Sequence, residues 1–187
     1  SGPRSRAASE GGPGADDPAG RWRRLLVRAA VIVLACFWVY SPVCHPVHHA
    51  DWLWDDDQLL TANSTVQHRL NANPAAPQDH LGSLYKLWNP LIVEGADYFP
   101  LSYTALWAQW PFFQMDPRTG GPVQAGGPSV PWPTGYHATS VVLHALGSLL
   151  LWRFFTILKV PFAWFGALLF AVHPVCVESV AWVSELK

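Results

Sequence analysis

Three consecutive aspartates, residues 55–57, follow closely on the most apolar part of the chain. Crowded carboxylates in such a place can take a proton from a hydroxyl group or hold a divalent cation against a phosphate. The plainer interpretation is a helix N-terminus, because Asp caps helices well and the sequence DQLLTAN could form that helix. Consecutive residues on a helix do not share a face, so at most two of the three carboxylates would converge on one point. Both interpretations stay open at this stage.

Three histidines and a glutamate form a second group of candidates, within or just after two later apolar runs. In YHATSVVLH, His137 and His144 are seven residues apart, which on a helix is two turns and about 10 Å. They would share a face but could not both chelate one ion directly. His144 would lie within a membrane-spanning helix, where an ionisable side chain is a functional candidate. The alternative is that it makes a polar contact within a helix bundle. His173 and Glu178 come near the end of the next run, where an ordinary surface segment is the alternative for Glu178.

The composition indicates which elements position these residues. Half of the 187 residues are hydrophobic, only 13% are charged and eleven are Trp, which is typical of a membrane protein with an interfacial Trp belt. The apolar runs predict three transmembrane helices, at about residues 24–43, 138–158 and 161–175, after a disordered tail at residues 1–20. Pro174 should end or bend the third helix. The formal net charge of −1 gives no indication of nucleic-acid binding.

Basic residues predict how these helices are oriented. Six of them lie before the apolar run of the first helix or around the turn between the second and third: Arg21, Arg23, Arg24, Arg28, Arg153 and Lys159. By the positive-inside rule this side is cytoplasmic, and the first loop, at about residues 44–137, is extracytoplasmic. Within the loop, HLGSLYKLW and PLSYTALWAQWPFF each predict a short helix lying in the membrane interface. Cys44 and Cys176 would then lie at one membrane face, as free thiols or as a disulfide.

Four blocks of the sequence, in their order and spacing, resemble one family. The blocks are WLWDDDQLLTANSTVQHRL, EGADYFPLSYTALWAQW, GYHATSVVLHALGSLLLW and ALLFAVHPVCVESVAWVSELK. They resemble the bacterial multispanning membrane proteins with C-terminal tetratricopeptide repeats, which are similar to the animal transmembrane-and-tetratricopeptide-repeat O-mannosyltransferases. The resemblance covers about residues 22–187. It implies an α-helical integral membrane protein with a GT-C glycosyltransferase fold. This chain would be its N-terminal fragment, with more helices and the repeats expected beyond Lys187.

The resemblance also implies a reaction and a place for it. The donor would be a sugar, mannose by default, on a polyprenyl phosphate within the membrane lipid. The acceptor would be a hydroxyl group, of a protein Ser or Thr, on the periplasmic face of a bacterial inner membrane. Asp56 would be the catalytic base, with Asp55 as the next candidate and Asp57 as a supporting group. Contacts to acceptor or phosphate would come from His137, His144, His173 and Glu178. The resemblance fixes no cofactor, although Asp55 and Asp56 could hold Mg²⁺ or Mn²⁺.

Two departures from the family pattern favour a different function. Ser140 stands where the family has Asn, and Leu186 stands where it has Arg, so the polar contacts of those residues would be shortened or lost. A noncatalytic membrane scaffold, whose repeats bind partner proteins, is therefore the main alternative. A scaffold has no need of the aspartates, however. A transporter would carry ionisable residues deep within several helices, and only His144 approaches such a position.

Overall fold

The structure, a computed structural model, describes residues 18–44, 56–69, 78–92, 98–121 and 129–183. Most of these residues are helical, and two helices are long and apolar enough to cross a membrane. A bent pair of helices near residue 172 makes a third crossing if the pair is counted as one span. These features are those of an α-helical membrane protein, as the sequence predicts.

The first long helix, α1, spans Pro18–Cys44 and contains the predicted span 24–43. It begins inside the predicted tail 1–20, because Pro18 suits the first turn of a helix and the following Ala and Arg residues favour helix formation. Pro42, in the last turn, cannot donate a hydrogen bond to the carbonyl group of Trp38. The Ser41 hydroxyl donates to that carbonyl oxygen instead, at 2.9 Å.

The second long helix, α4, spans Pro133–Ile157 and starts before the predicted position 138, because Pro133 occupies its first turn. A short helix, α5, spans Ala163–Ala171 and is followed by a 3₁₀ turn at Pro174–Cys176 and by α6 at Val177–Ala181. The chain bends by 48° at this break. The sequence His173-Pro174 therefore interrupts the helix, as predicted.

These four helices form the helix bundle, in which α1 and α4 run antiparallel. Its core consists mainly of small or slender side chains, which let the backbones approach closely: Ile32, Cys36, Ala145, Ala167 and Ala171. We call the end with the six basic residues the arginine end and the opposite end the loop end. The outward faces of α1, α4 and α5 expose large apolar side chains, which suits contact with lipid acyl chains.

The described residues between α1 and α4 form the loop subdomain. It contains a π-helical turn at Asp57–Thr61, α2 at His80–Trp88, α3 at Pro100–Gln109 and two paired antiparallel strands, β1 at Gln114–Met115 and β2 at Val130–Pro131. Both short helices were predicted, and Pro100 stands in the first turn of α3. One hydrophobic core joins this subdomain to the loop end of the bundle: Leu60, Val66, Leu87, Tyr103, Leu106, Tyr136 and Val183.

The helical spacing of HLGSLYKLW places Leu81, Leu84, Tyr85 and Trp88 on one apolar stripe of α2, and this stripe does not face the core. Leu87 and Ser83 are buried, whereas Leu81, Tyr85 and Trp88 are exposed. An unburied apolar stripe is what a helix lying on a membrane surface would present.

Two of the three cysteines lie close to the loop end. Cys44 and Cys176 pack against the same small cluster, formed by Tyr40, Val141 and Val180, so they share a face as predicted. Both are free thiols in the structure. Of the two alternatives left open by the sequence, the structure has the unbridged one.

Candidate functional site

Asp56 immediately precedes the π-helical turn and is only 1% exposed. The turn is anchored by Leu60, which lies in the hydrophobic core that joins the loop subdomain to the bundle. The strand β2 packs against the same turn. Asp55 and the side chain of Asp57 lie outside the described residues, so the predicted convergence of two carboxylates stays a prediction.

A compact set of side-chain hydrogen bonds holds the segment that follows Asp56. The Asn63 side-chain oxygen accepts from the backbone N–H groups of Thr65 and Val66, at 3.0 and 3.1 Å. The side-chain amide of Gln67 donates to the carbonyl oxygens of Leu60 and Thr61, at 3.0 and 2.6 Å. These bonds satisfy backbone groups that the short turn leaves unpaired, so they fix the segment that follows Asp56.

Beyond this segment lies a histidine pair that the sequence analysis did not single out. His68 has a left-handed backbone, with φ 63°, and its Nε2 donates to the carbonyl oxygen of Trp107 at 2.8 Å. In the neutral ring its Nδ1 is then an acceptor, and the Nδ1–H of His80 donates to it at 2.7 Å. Burial lowers the pKa of His68, and a smaller contribution comes from charge on His80. The pair ties the start of α2 to α3.

No spacing rule points to this arrangement. His68 and His80 are separated by 12 residues, and His68 and Trp107 by 39. The Trp107 ring lies against His68, with 4.5 Å between the ring centroids, and its indole N–H donates to the Ser83 hydroxyl at 3.0 Å. A helix period of 3.6 residues relates none of these groups, so only the tertiary fold brings them together.

His137, one of the predicted contacts to acceptor or phosphate, lies next to a residue that shares a hydrophobic core with the segment of Asp56. It is 1% exposed and lies near the start of α4. The preceding residue, Tyr136, belongs to the same hydrophobic core as Leu60, and its ring lies 5.7 Å from that of Phe113. The segments that carry Asp56 and His137 therefore meet around one cluster at the loop end.

His144 and His173 make their hydrogen bonds within the bundle. The Nε2 of His144 donates to the carbonyl oxygen of Ala171 at 3.1 Å, and the His144 ring packs edge-on against Tyr40. His173 caps the 3₁₀ turn, because its Nδ1 accepts from the backbone N–H of Val175 at 3.2 Å. These contacts agree with the plainer alternative of polar contacts inside a helix bundle. Glu178 lies exposed in the first turn of α6.

A second buried carboxylate of the loop subdomain has a structural explanation. Asp116 accepts hydrogen bonds from the backbone N–H of Arg118 at 2.8 Å and from its guanidinium group at 3.3 Å. These bonds from Arg118 hold the pKa of Asp116 below its usual value. Asp116 thus closes a turn, and it provides a comparison for Asp56.

Within the described ranges, no three His, Cys, Asp or Glu side chains come together in a way that could hold a cation. The predicted pair of Asp55 and Asp56 lies partly outside these ranges, so a cation at that pair stays a prediction.

Comparison with known proteins gave no match to a family model, to a curated protein or to a solved structure. The assignment of a function therefore depends on the geometry described above and on the resemblance of the four sequence blocks.

Proposed function

We propose that the chain is part of a membrane glycosyltransferase of the GT-C type, which moves a sugar, mannose by default, from a polyprenyl phosphate to a hydroxyl group of an acceptor protein. The observation that carries the proposal is Asp56, a carboxylate with 1% exposure in a subdomain packed on the ends of helices able to cross a membrane. A transferase with a lipid-linked donor needs such a group where lipid meets water, whereas a scaffold does not.

In this reaction the Asp56 carboxylate takes the proton of the acceptor hydroxyl group while the hydroxyl oxygen attacks the anomeric carbon. The bond between that carbon and the phosphate oxygen breaks, and the polyprenyl phosphate leaves with the bonding electron pair. Attack from the side opposite the leaving group inverts the configuration at the anomeric carbon. Asp55 is the alternative base, and Asp57 would support either of them.

The surroundings of Asp56 fit the needs of such a reaction. The exposed stripe of Leu81, Tyr85 and Trp88 on α2 offers an apolar surface on which the subdomain can rest against lipid. The negative charge on the departing phosphate needs hydrogen-bond donors, and His137 is our first candidate because its segment meets that of Asp56. His144, His173 and Glu178 remain candidates for contacts with acceptor or phosphate. A divalent cation held by Asp55 and Asp56 stays a prediction.

The test uses the full-length protein in membranes, supplied with labelled polyprenyl-phosphate mannose. We expect the wild type to transfer label to protein and Asp56→Asn to lower the rate by about 10²-fold or more, as the loss of a general base does. Asp116→Asn is the matched control, because it also replaces a buried carboxylate of the same subdomain. It should keep transfer within a few fold, and near-UV circular dichroism should show that both variants are folded.

Three outcomes would change the assignment. Equal loss in Asp56→Asn and Asp116→Asn would indicate damage to the subdomain rather than loss of a base. Full activity of Asp56→Asn would exclude it as the base, and Asp55→Asn and Glu178→Gln would be measured next. Absence of transfer by the wild type with any of a panel of lipid-linked sugars would exclude the transferase.

A noncatalytic scaffold is the second candidate, and one observation favours it. Ser140, which stands where the resembling family has Asn, donates its hydroxyl group to the carbonyl oxygen of Tyr136 in its own helix at 3.4 Å. That is a local bond rather than a contact across the site. Ser140→Asn would distinguish the candidates, because a transferase with a weakened contact should gain activity, whereas a scaffold should show none in either form.

A further inference from the structure

Two adjoining cavities open at the arginine end, far from the loop subdomain. The first, of about 560 Å³, lies between α1 and α4, and the second, of about 490 Å³, lies between α1, the end of α4 and α5. They share Leu25, Trp152 and Thr156 in their walls. Sites for small molecules fall in this range of volume.

The walls of these cavities are apolar in one part and cationic in another. Trp22, Leu26 and Leu149 line the first cavity, together with Arg153 at its edge. Arg28 and Lys159 line the second. The indole N–H of Trp164 donates to the backbone carbonyl oxygen of Arg28 at 3.0 Å. This bond fixes α5 against α1, so the cationic part is built from three helical segments.

No described protein group neutralises these cations. The helices α1, α4 and α5 contain no Asp or Glu. Within the described ranges, neither Arg28, Arg153 nor Lys159 forms an ion pair. Among the residues that the structure describes, the site therefore combines three positive charges that no carboxylate neutralises with an apolar groove along membrane-crossing helices.

We propose that this groove binds one anionic phospholipid, with an acyl chain along Leu25, Leu26 and Trp152 and the phosphate group between Arg28, Arg153 and Lys159. Basic pockets between transmembrane helices recognise lipid headgroups in this way. A soluble anion would leave the apolar walls unused. A protein helix would fit the groove only if it brought acidic residues to all three cations. The proposal concerns the end opposite Asp56 and does not depend on the transferase assignment.

Native mass spectrometry of the detergent-purified full-length protein tests the site. The probes are phosphatidylglycerol and phosphatidylcholine with identical acyl chains. We expect one phosphatidylglycerol to bind at least tenfold more tightly than phosphatidylcholine. Each of Arg28→Gln, Arg153→Gln and Lys159→Gln should weaken phosphatidylglycerol binding about fivefold, as expected for a charge near a headgroup. The triple variant should abolish the preference. Because all three side chains are exposed, these variants should fold normally.

The matched control removes three other cations from the same end: Arg21, Arg23 and Arg24, each replaced by Gln. These side chains do not line either cavity, so the preference for phosphatidylglycerol should persist. Equal losses in the two triple variants would mean a diffuse attraction and would overturn the proposal. No preference in the wild type would also overturn it and would indicate that another part of the protein covers the groove. Trp152→Ala should weaken both lipids equally, since it removes apolar contact alone.

Discussion

The helix bundle and the loop subdomain are stabilised in different ways. The bundle buries small side chains between long helices and exposes its large apolar residues on the outside. Long apolar runs in the sequence therefore account for its helices. The loop subdomain has short helices and two-residue strands, and it depends on one hydrophobic core and on hydrogen bonds between distant residues. Contact with lipid is therefore enough to orient the helices of the bundle, whereas only tertiary contacts hold together the half of the molecule that carries Asp56.

The first prediction concerns α2, which has one leucine in the subdomain core and another that is exposed. Leu87 is 0% exposed in the subdomain core and Leu81 is 81% exposed on the same helix. We expect Leu87→Ala to lower the free energy of unfolding of the subdomain by about 2–5 kcal/mol, because it leaves a cavity. Leu81→Ala should change it by less than about 0.5 kcal/mol. Hydrogen exchange of the α3 amides measures both values. Equal effects would show that α2 does not pack as described.

The second prediction compares two glycines of α4. A Cβ atom at Gly135 would lie 2.5 Å from the ring of Phe113, whereas one at Gly147 would have no neighbour within 4 Å. Gly135→Ala should therefore destabilise the protein by about 1–3 kcal/mol through overpacking. Gly147→Ala should be neutral or stabilise it by up to about 1 kcal/mol. Thermal unfolding of the two variants tests the difference, and a reversed order would contradict the packing of the loop end.

The third prediction is a pH dependence that His68 gives to the loop subdomain. Burial lowers the pKa of His68, so the unfolded chain binds a proton more readily than the folded chain. The stabilisation is therefore complete above the ordinary His pKa of about 6.5 and is lost as the pH falls below it toward the lowered value. The denaturant concentration at the midpoint of unfolding should decrease when the pH is lowered from 7.5 to 5.5. His68→Asn, which tolerates the left-handed backbone, should reduce this slope. An unchanged slope would exclude His68 as its source.

The smallest predicted effect is at Arg118, which is 70% exposed where it pairs with Asp116. Arg118→Gln should change stability by less than about 1 kcal/mol, since exposed ion pairs contribute little. The neighbouring bond from the Arg118 backbone N–H to Asp116 remains in the variant. Thermal unfolding at neutral pH is sufficient to measure this, and a larger loss would mean that the turn is held mainly by charge.

The same contrast explains how much of the structure the sequence predicts. Hydrophobic runs of about 20 residues are enough to predict the bundle, and Pro133, Pro174 and Pro100 account for where helices start or break. The short helices of the loop were predicted from local pattern as well. The side of α2 that is buried was not predicted, because Leu87 lies off the apolar stripe and its partners come from other segments.

The candidate site was predicted only in part for the same physical reason. Asp56 stands out through its two acidic neighbours; the structure adds that its side chain is buried, and its catalytic role stays a prediction. The pair of His68 and His80 gave no signal, since hydrogen bonds across 12 and 39 residues leave no periodic trace. His144 was considered for chemistry because it lies in an apolar helix, and the structure gives it a hydrogen bond to a neighbouring helix.

The central claim is that the loop subdomain and the arginine end lie on opposite sides of the membrane. Single cysteines test it directly, at Leu101 in the exposed part of α3 and at Lys159 in the turn after α4, with Cys36, Cys44 and Cys176 replaced by Ala. In intact cells, a membrane-impermeant maleimide should label Leu101→Cys, and it should label Lys159→Cys only after the membrane is permeabilised. Labelling of both positions from the same side would contradict the account.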